Sequence, residues 1–149
     1  MPTHEKYIKR AIELAKQAET QGEVPVGAVV VLNDEIIGEG FNRPIQLHDP
    51  SAHAEIVALR NAGKKIGNYR LNNATLYVTL EPCMMCVGAI IHARITQLVF
   101  GAYDKKAGAV SSVFKLINHP LLTHFMQCDA GVCERECTKL MTDFFKDRR

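Results

Sequence analysis

The chain has no tryptophan, and its four tyrosines and six phenylalanines make up only 7% of it. A core must therefore be built from aliphatic side chains, and a hydrophobic content of 47% supplies them. No apolar run is long enough for a membrane span, which excludes an integral membrane protein of the helical kind. The N-terminus has no charged-then-apolar leader, and five cysteines is an odd number, so a disulfide framework is not expected. A reducing, cytoplasmic setting follows as the expectation. Charge of one sign is also missing: 18 basic against 16 acidic residues leave +2. That balance is too mild to announce a nucleic-acid binder, so any affinity for phosphate must rest on local charge. Repeats, low-complexity stretches and linker-like segments are absent, and residues 1–149 are expected to form a single domain.

What is present starts with a helical period. Ile8, Ala11, Ile12, Ala15 and Ala18 predict an amphipathic helix over residues 1–22, capped by Thr3 and stopped by Gly22. The β-branched run 26–32, the Asn33-Asp34 turn and residues 35–40 predict a hairpin. Gly27 suggests a close approach to the backbone, although the stretch 23–28 is read as an ordinary strand entry. A helix is expected from near Ser51 to Gly63, a buried strand over 74–80, an apolar helix over 82–93 and a strand over 98–102. Residues 74–102 thus form a β-α-β unit with parallel strands. The stretch 110–122 is ambiguous, with a short helix before His119-Pro120 as one reading. A last helix runs to the terminus with Leu140, Met141, Phe144 and Phe145 inward. The cysteine helix is apolar nearly all round, so one of its sides is expected in a subunit interface.

The chemistry lies in Pro82-Cys83-Met84-Met85-Cys86 and His53-Ala54-Glu55. Thiols three apart lie on one face of a helix's first turn, where the dipole and free amides favour thiolate. Pro82 suits the first helical position because no amide donor is needed there. Two cysteines and one histidine give three zinc ligands and leave a fourth position for water, the mark of a catalytic site. His53, Cys83 and Cys86 are the candidate ligands, and Glu55 is the candidate proton shuttle. Either half alone has a bland reading, as a redox pair or as isolated polar residues. Together, in this order, they form the signature of the zinc nucleobase deaminases.

Beyond this signature, nearly the whole chain resembles the bacterial tRNA-specific adenosine deaminases, which convert a wobble adenosine of an arginine tRNA to inosine. The matching stretches include residues 23–28, 38–44, 48–55, 68–71, 74–86 and 100–102, and the tail Asp143-Phe144-Phe145 with its basic end. The resemblance implies a three-layer α/β/α fold with a mixed five-stranded sheet, cytidine deaminase-like, one zinc per subunit and a homodimer. It implies that zinc-bound hydroxide attacks adenine C6 while Glu55 moves protons to the ring and to the departing amine. It further implies that Asn42 and the backbone around Ala54 hold the flipped base. Asp104, Lys106, Arg148 and Arg149 would face the anticodon loop.

The residues themselves leave alternatives beside some of these roles. Asn42 reads as a base-edge reader or as a turn former. The loop 103–108 reads as a phosphate-contacting segment or as a solvated polar loop. His48 is taken as a loop histidine, and Cys128, Cys133 and Cys137 as partly buried thiols on the way into the last helix. Two rival functions stand beside the main one. One is a deaminase of free guanine, cytosine or a nucleotide, and the other a zinc-containing RNA-binding module without catalysis.

Overall fold

The computed structural model describes residues 2–148 and shows a five-stranded sheet with helices on both faces. Helix α1 (Pro2–Thr20) buries Ile8, Ala11, Ile12, Ala15 and Ala18, the residues of the predicted stripe. Thr3 lies inside its first turn instead of capping it, because Pro2 already opens the helix. Gly22 stops it as expected, in the left-handed region at φ 78°.

Strand β1 (Gly27–Leu32) and strand β2 (Glu35–Phe41) form the predicted hairpin, turning through Asn33 and Asp34 at φ 51° and 61°. Positive φ at both positions marks the primed turn that matches the strands' own twist. Gly27 is more than a strand entry: a Cβ there would lie 1.9 Å from the Ala11 carbonyl oxygen. The close approach of α1 to the sheet requires the glycine.

Beyond the short helix α2 (Pro44–Leu47), helix α3 (Ala54–Ile66) begins later and ends later than its sequence pattern suggests. His53 is its N-cap in extended conformation, and the left-handed C-cap is Gly67 at φ 76°, not Gly63. Strand β3 (Thr75–Leu80), helix α4 (Met84–His92) and strand β4 (Gln97–Ala102) give the expected β-α-β unit with parallel strands. Cys83, not Pro82, takes the cap position of α4, so the proline precedes the helix proper. The connection 103–126 carries turns and no helix, which settles the ambiguity over 110–122. Strand β5 (Gln127–Ala130) then pairs parallel to β4, and helix α5 (Glu134–Lys146) closes the fold.

The sheet order is β2-β1-β3-β4-β5, with β1 antiparallel to both its neighbours and the remainder parallel. Alternation along β1 sorts the core by face. Ala28 and Val30 join Ala54, Ala58, Leu76, Val78, Val87, Ile90 and Phe100 beneath α3 and α4. Val29 and Val31 join Tyr7, Ile8, Ala11, Tyr77, Val99 and Cys137 beneath α1 and α5. The result is a three-layer α/β/α domain with a mixed five-stranded sheet. Among the described residues, no helix is long and apolar enough to cross a membrane.

Candidate active site

Parallel strands leave a crevice at their C-terminal ends, and here β3 runs out of it straight into the cysteine turn. The N-terminus of α3 meets the N-terminus of α4 at that point. His53 Nδ1 lies 3.6 Å from Cys83 Sγ and 3.5 Å from Cys86 Sγ. Zinc bonded tetrahedrally to sulfur at about 2.3 Å and to nitrogen at about 2.0 Å needs a sulfur-nitrogen separation of roughly 3.5 Å. The three side chains are therefore already at metal-binding distance. Among the described residues they are the one such group of histidine, cysteine and acid side chains, and no fourth ligand joins them.

The electrostatics suit a cation. Hydrogen bonding with Cys86, opposed by burial and reinforced by His53, holds the Cys83 thiol down at about 3. The same hydrogen bond, together with burial, pushes the Cys86 thiol well above its ordinary value. Cys83 is a thiolate in waiting, and the proton on Cys86 is the one a dication would displace. The hydrogen bond to Cys83 raises His53 against the opposing effect of burial.

Glu55 stands in the first turn of α3, 4% exposed, beside this triad. Burial pushes its carboxyl up to about 7, against the lowering effects of a backbone hydrogen bond and of His53. A carboxyl that changes protonation near neutrality is suited to proton transfer.

His53, Glu55 and Cys83 line a cavity of about 320 Å³ together with Asn42, Asp104 and Lys106. Asn42, at the end of β2, is mostly buried. Ala54 opens α3, is fully buried and does not itself line the cavity. Asp104 is half committed, since its Oδ1 accepts from the amides of Lys106 and Ala107 at 3.0 and 3.1 Å. Arg148 does not line the cavity: its guanidinium stacks 3.6 Å over the Phe144 ring and reaches the Phe144 carbonyl. Arg149 lies outside the described residues. His48 is the left-handed C-cap of α2 and takes no part.

Two features had no sequence signal strong enough to be picked out, the cavity wall supplied by α5 and the buried acids Glu23 and Glu81. Met141 and Phe145 line the cavity from α5, and Phe145 is 48% exposed instead of inward. Lys146 joins Lys105, Lys106 and Tyr103 along an adjoining depression of about 670 Å³, which shares Asp104 and Phe145 with the cavity. Glu23 and Glu81 are buried acids that bind backbone. Glu23 accepts from the amides of Ile45 and Gln46. Burial pushes the Glu81 carboxyl up, but hydrogen bonds from Ser111, Ser112 and Asp104 outweigh it and hold it below its ordinary value. Cys128 sits on β5, a strand too short and polar to be predicted, while Cys137 is buried under α5 against Gly101.

A family model described as the cytidine and deoxycytidylate deaminase zinc-binding region matches residues 1–102. The tRNA-specific adenosine deaminase of Haemophilus influenzae is 53% identical over 146 residues, covering 97% of this chain and 84% of that protein. Its counterpart in Bacillus subtilis is 43% identical over 149 residues, with 100% and 92% covered. A solved structure from work on A-to-I editing by tRNA:A34 deaminases superposes with a TM-score of 0.88 at 41% identity, covering 91% of this chain and 98% of that one. A guanine deaminase from Nitrosomonas europaea shares the fold, with a TM-score of 0.80 at 24% identity over 94% and 83% of the two chains.

Proposed function

The chain belongs to the tRNA-specific adenosine deaminases within the cytidine and deoxycytidylate deaminase zinc-binding family, and from that premise we propose how its site works. The enzyme is a hydrolytic deaminase, and its substrate is the wobble adenosine in the anticodon loop of an arginine tRNA, which becomes inosine. The observation that carries this reading is the cavity itself. It is lined by His53 and Cys83, with Cys86 buried beside them at zinc spacing, by one buried acid and by one buried amide side chain, and it adjoins a lysine-lined depression.

His53, Cys83 and Cys86 would hold one zinc per subunit, which when bound would supply the Lewis acidity that lowers the pKa of a water to about 7. As a water oxygen bonds to C6, Glu55 takes its protons one after the other and passes them to the ring nitrogen and to the amine, which leaves as ammonia when its bond to C6 breaks. Burial keeps Glu55 ready for both halves of the transfer. Asn42 turns its amide to the edge of the flipped base, and the backbone at Ala54 backs it. Lys106, with Lys105 and Lys146 beyond it, takes the phosphates on either side of the splayed nucleotide. The remaining oxygen of Asp104 accepts from a ribose hydroxyl. Splaying a base out of a single-stranded loop costs less than opening a duplex, which favours an anticodon loop over helical RNA. The protein acts as a homodimer in the cytoplasm, and its residues 1–149 are one domain.

A free-base deaminase would share the reacting centre but has no use for a lysine-lined exit. A non-catalytic zinc module would need a fourth protein ligand, and none joins the three among the described residues. The deciding experiment incubates the protein with an arginine tRNA anticodon stem-loop carrying wobble adenosine, and separately with adenosine, cytidine, cytosine and guanine. Mass spectrometry should show inosine in the stem-loop and little turnover of the small molecules. RNA affinity should fall as salt rises, since each phosphate contact releases counterions. Efficient turnover of a free base with the stem-loop untouched would overturn the tRNA reading.

A further inference from the structure

We propose that Glu81 is the positioning residue of the RNA-facing loop, setting the affinity for substrate without touching it; the inference rests on the function proposed above. Glu81 follows β3 and precedes the cysteine turn, with its side chain 2% exposed. Its amide bonds the Ala102 carbonyl at 2.8 Å, which ties the ends of β3 and β4 together. Oε2 accepts from three successive amides, Val110 at 3.0 Å, Ser111 at 2.8 Å and Ser112 at 3.0 Å. Oε1 accepts from the Asp104 amide at 3.1 Å and from the Ser112 hydroxyl. A concave run of backbone N–H groups closed around one anion is a strong and directional clamp.

What this clamp holds decides its role. The Asp104 backbone is fixed by Glu81, and the Asp104 side chain fixes the amides of Lys106 and Ala107 in turn. The relay ends at Lys106, which lines both the cavity and the lysine-lined depression. Gly108 completes the fit. A Cβ there would lie 2.4 Å from Glu81 Cδ and 2.5 Å from the Asp104 carbonyl oxygen, so the loop closes over the carboxylate only because that side chain is absent. Every group facing Glu81 in the clamp is a donor. An amide in its place would turn an NH₂ group toward N–H donors on one side.

The test uses Glu81→Gln in the zinc-loaded, full-length protein. Three readouts are taken: zinc content, backbone hydrogen exchange by residue, and kcat and KM on the anticodon stem-loop. Full zinc content is expected, with faster exchange confined to residues 104–112. KM should rise about tenfold, the scale of one lost charge-assisted hydrogen bond, while kcat changes far less. A merely structural role would lower stability without this split between KM and kcat. Gly108→Ala leaves the carboxylate in place and lifts the loop from the other side, so it should raise KM in the same way even if Glu81→Gln folds poorly. Unchanged loop exchange and unchanged KM in both variants would overturn the proposal. Loss of zinc and of kcat at constant KM would do so too, making Glu81 a support of the metal site. Should the unsubstituted protein leave the stem-loop untouched, the tRNA reading fails while loop exchange still decides whether Glu81 anchors the loop.

Discussion

Gly40 is the point at which the sheet sets the height of the catalytic helix. A Cβ on Gly40 would lie 2.6 Å from the Ala54 carbonyl oxygen, 2.6 Å from the Ala58 amide nitrogen and 2.8 Å from Val57 Cβ. Two of these three atoms are helix backbone, so no rotamer change relieves the contact. Gly40→Ala must therefore lift the first turns of α3 by about 1 Å to restore van der Waals contact. The lift moves His53 and Glu55 together, while Cys83 and Cys86 stay with α4. Overpacking of this kind costs about 1–3 kcal/mol of stability. A 1 Å error at a reacting centre costs on the order of 100-fold in turnover. Urea unfolding, zinc competition against a chelator and stem-loop turnover measure the three effects. Gly63→Ala is the control, because its Cβ meets nothing closer than the Asn68 carbonyl oxygen at 3.4 Å. Inside the same helix it should add roughly 0.5–1 kcal/mol and leave zinc affinity alone. Stability and zinc affinity left intact by Gly40→Ala would refute the claim that β2 holds the ligand helix in register.

Cys83→Ser and His53→Ala should each lose most of the bound zinc in elemental analysis, and full occupancy in both would remove them as ligands. Glu55→Ala should keep zinc and RNA affinity while turnover collapses, since proton transfer contributes about 100-fold or more; near-normal turnover of the metallated variant would take Glu55 out of the mechanism. A homodimer is expected by sedimentation at micromolar concentration, burying part of α4. Met84 and Met85 are 55% and 37% exposed there, and an apolar depression of about 720 Å³ runs between α3 and α4 past Ile56, Leu59 and Ala89. Monomer alone at that concentration would contradict the dimer.

The cluster of His53, Cys83 and Cys86 and the β-α-β unit were legible because their signals are short-range. C-x-x-C at the start of a helix brings two thiols to one side of its first turn, and residues 74–102 alternate as a strand, a helix and a strand must. The hairpin was legible because Asn33-Asp34 permits positive φ at two adjacent positions. Helix ends were less so. Gly63 looks like a stop but finds open space within α3, and the left-handed C-cap falls on Gly67. Strand β5 was hidden because Gln127 and Asp129 on an edge strand carry no buried period, and its pairing comes wholly from β4. Phe145 looked like core from its helical spacing, and only the docking of α5 beside the cavity turns its ring outward.

The three buried acids show what spacing cannot carry. Glu23, Glu55 and Glu81 are each less than 5% exposed, and from the sequence alone only Glu55 stands out, through its histidine partner. The structure separates them by what satisfies the carboxylate. Glu23 receives two amides at the start of α2, and Glu81 receives a full ring of donors from the loop it clamps. Both are occupied by backbone donors, and the donors around Glu81 hold its carboxyl below its ordinary value and leave it nothing to give a substrate. Glu55 is instead pushed up to about 7 by burial that its hydrogen bonds do not outweigh. A buried carboxyl kept short of donors costs stability, and it persists where its proton is needed. The wall of the cavity thus holds two acids, Glu81 committed to the backbone of its loop and Glu55 left free for the proton transfer proposed for it.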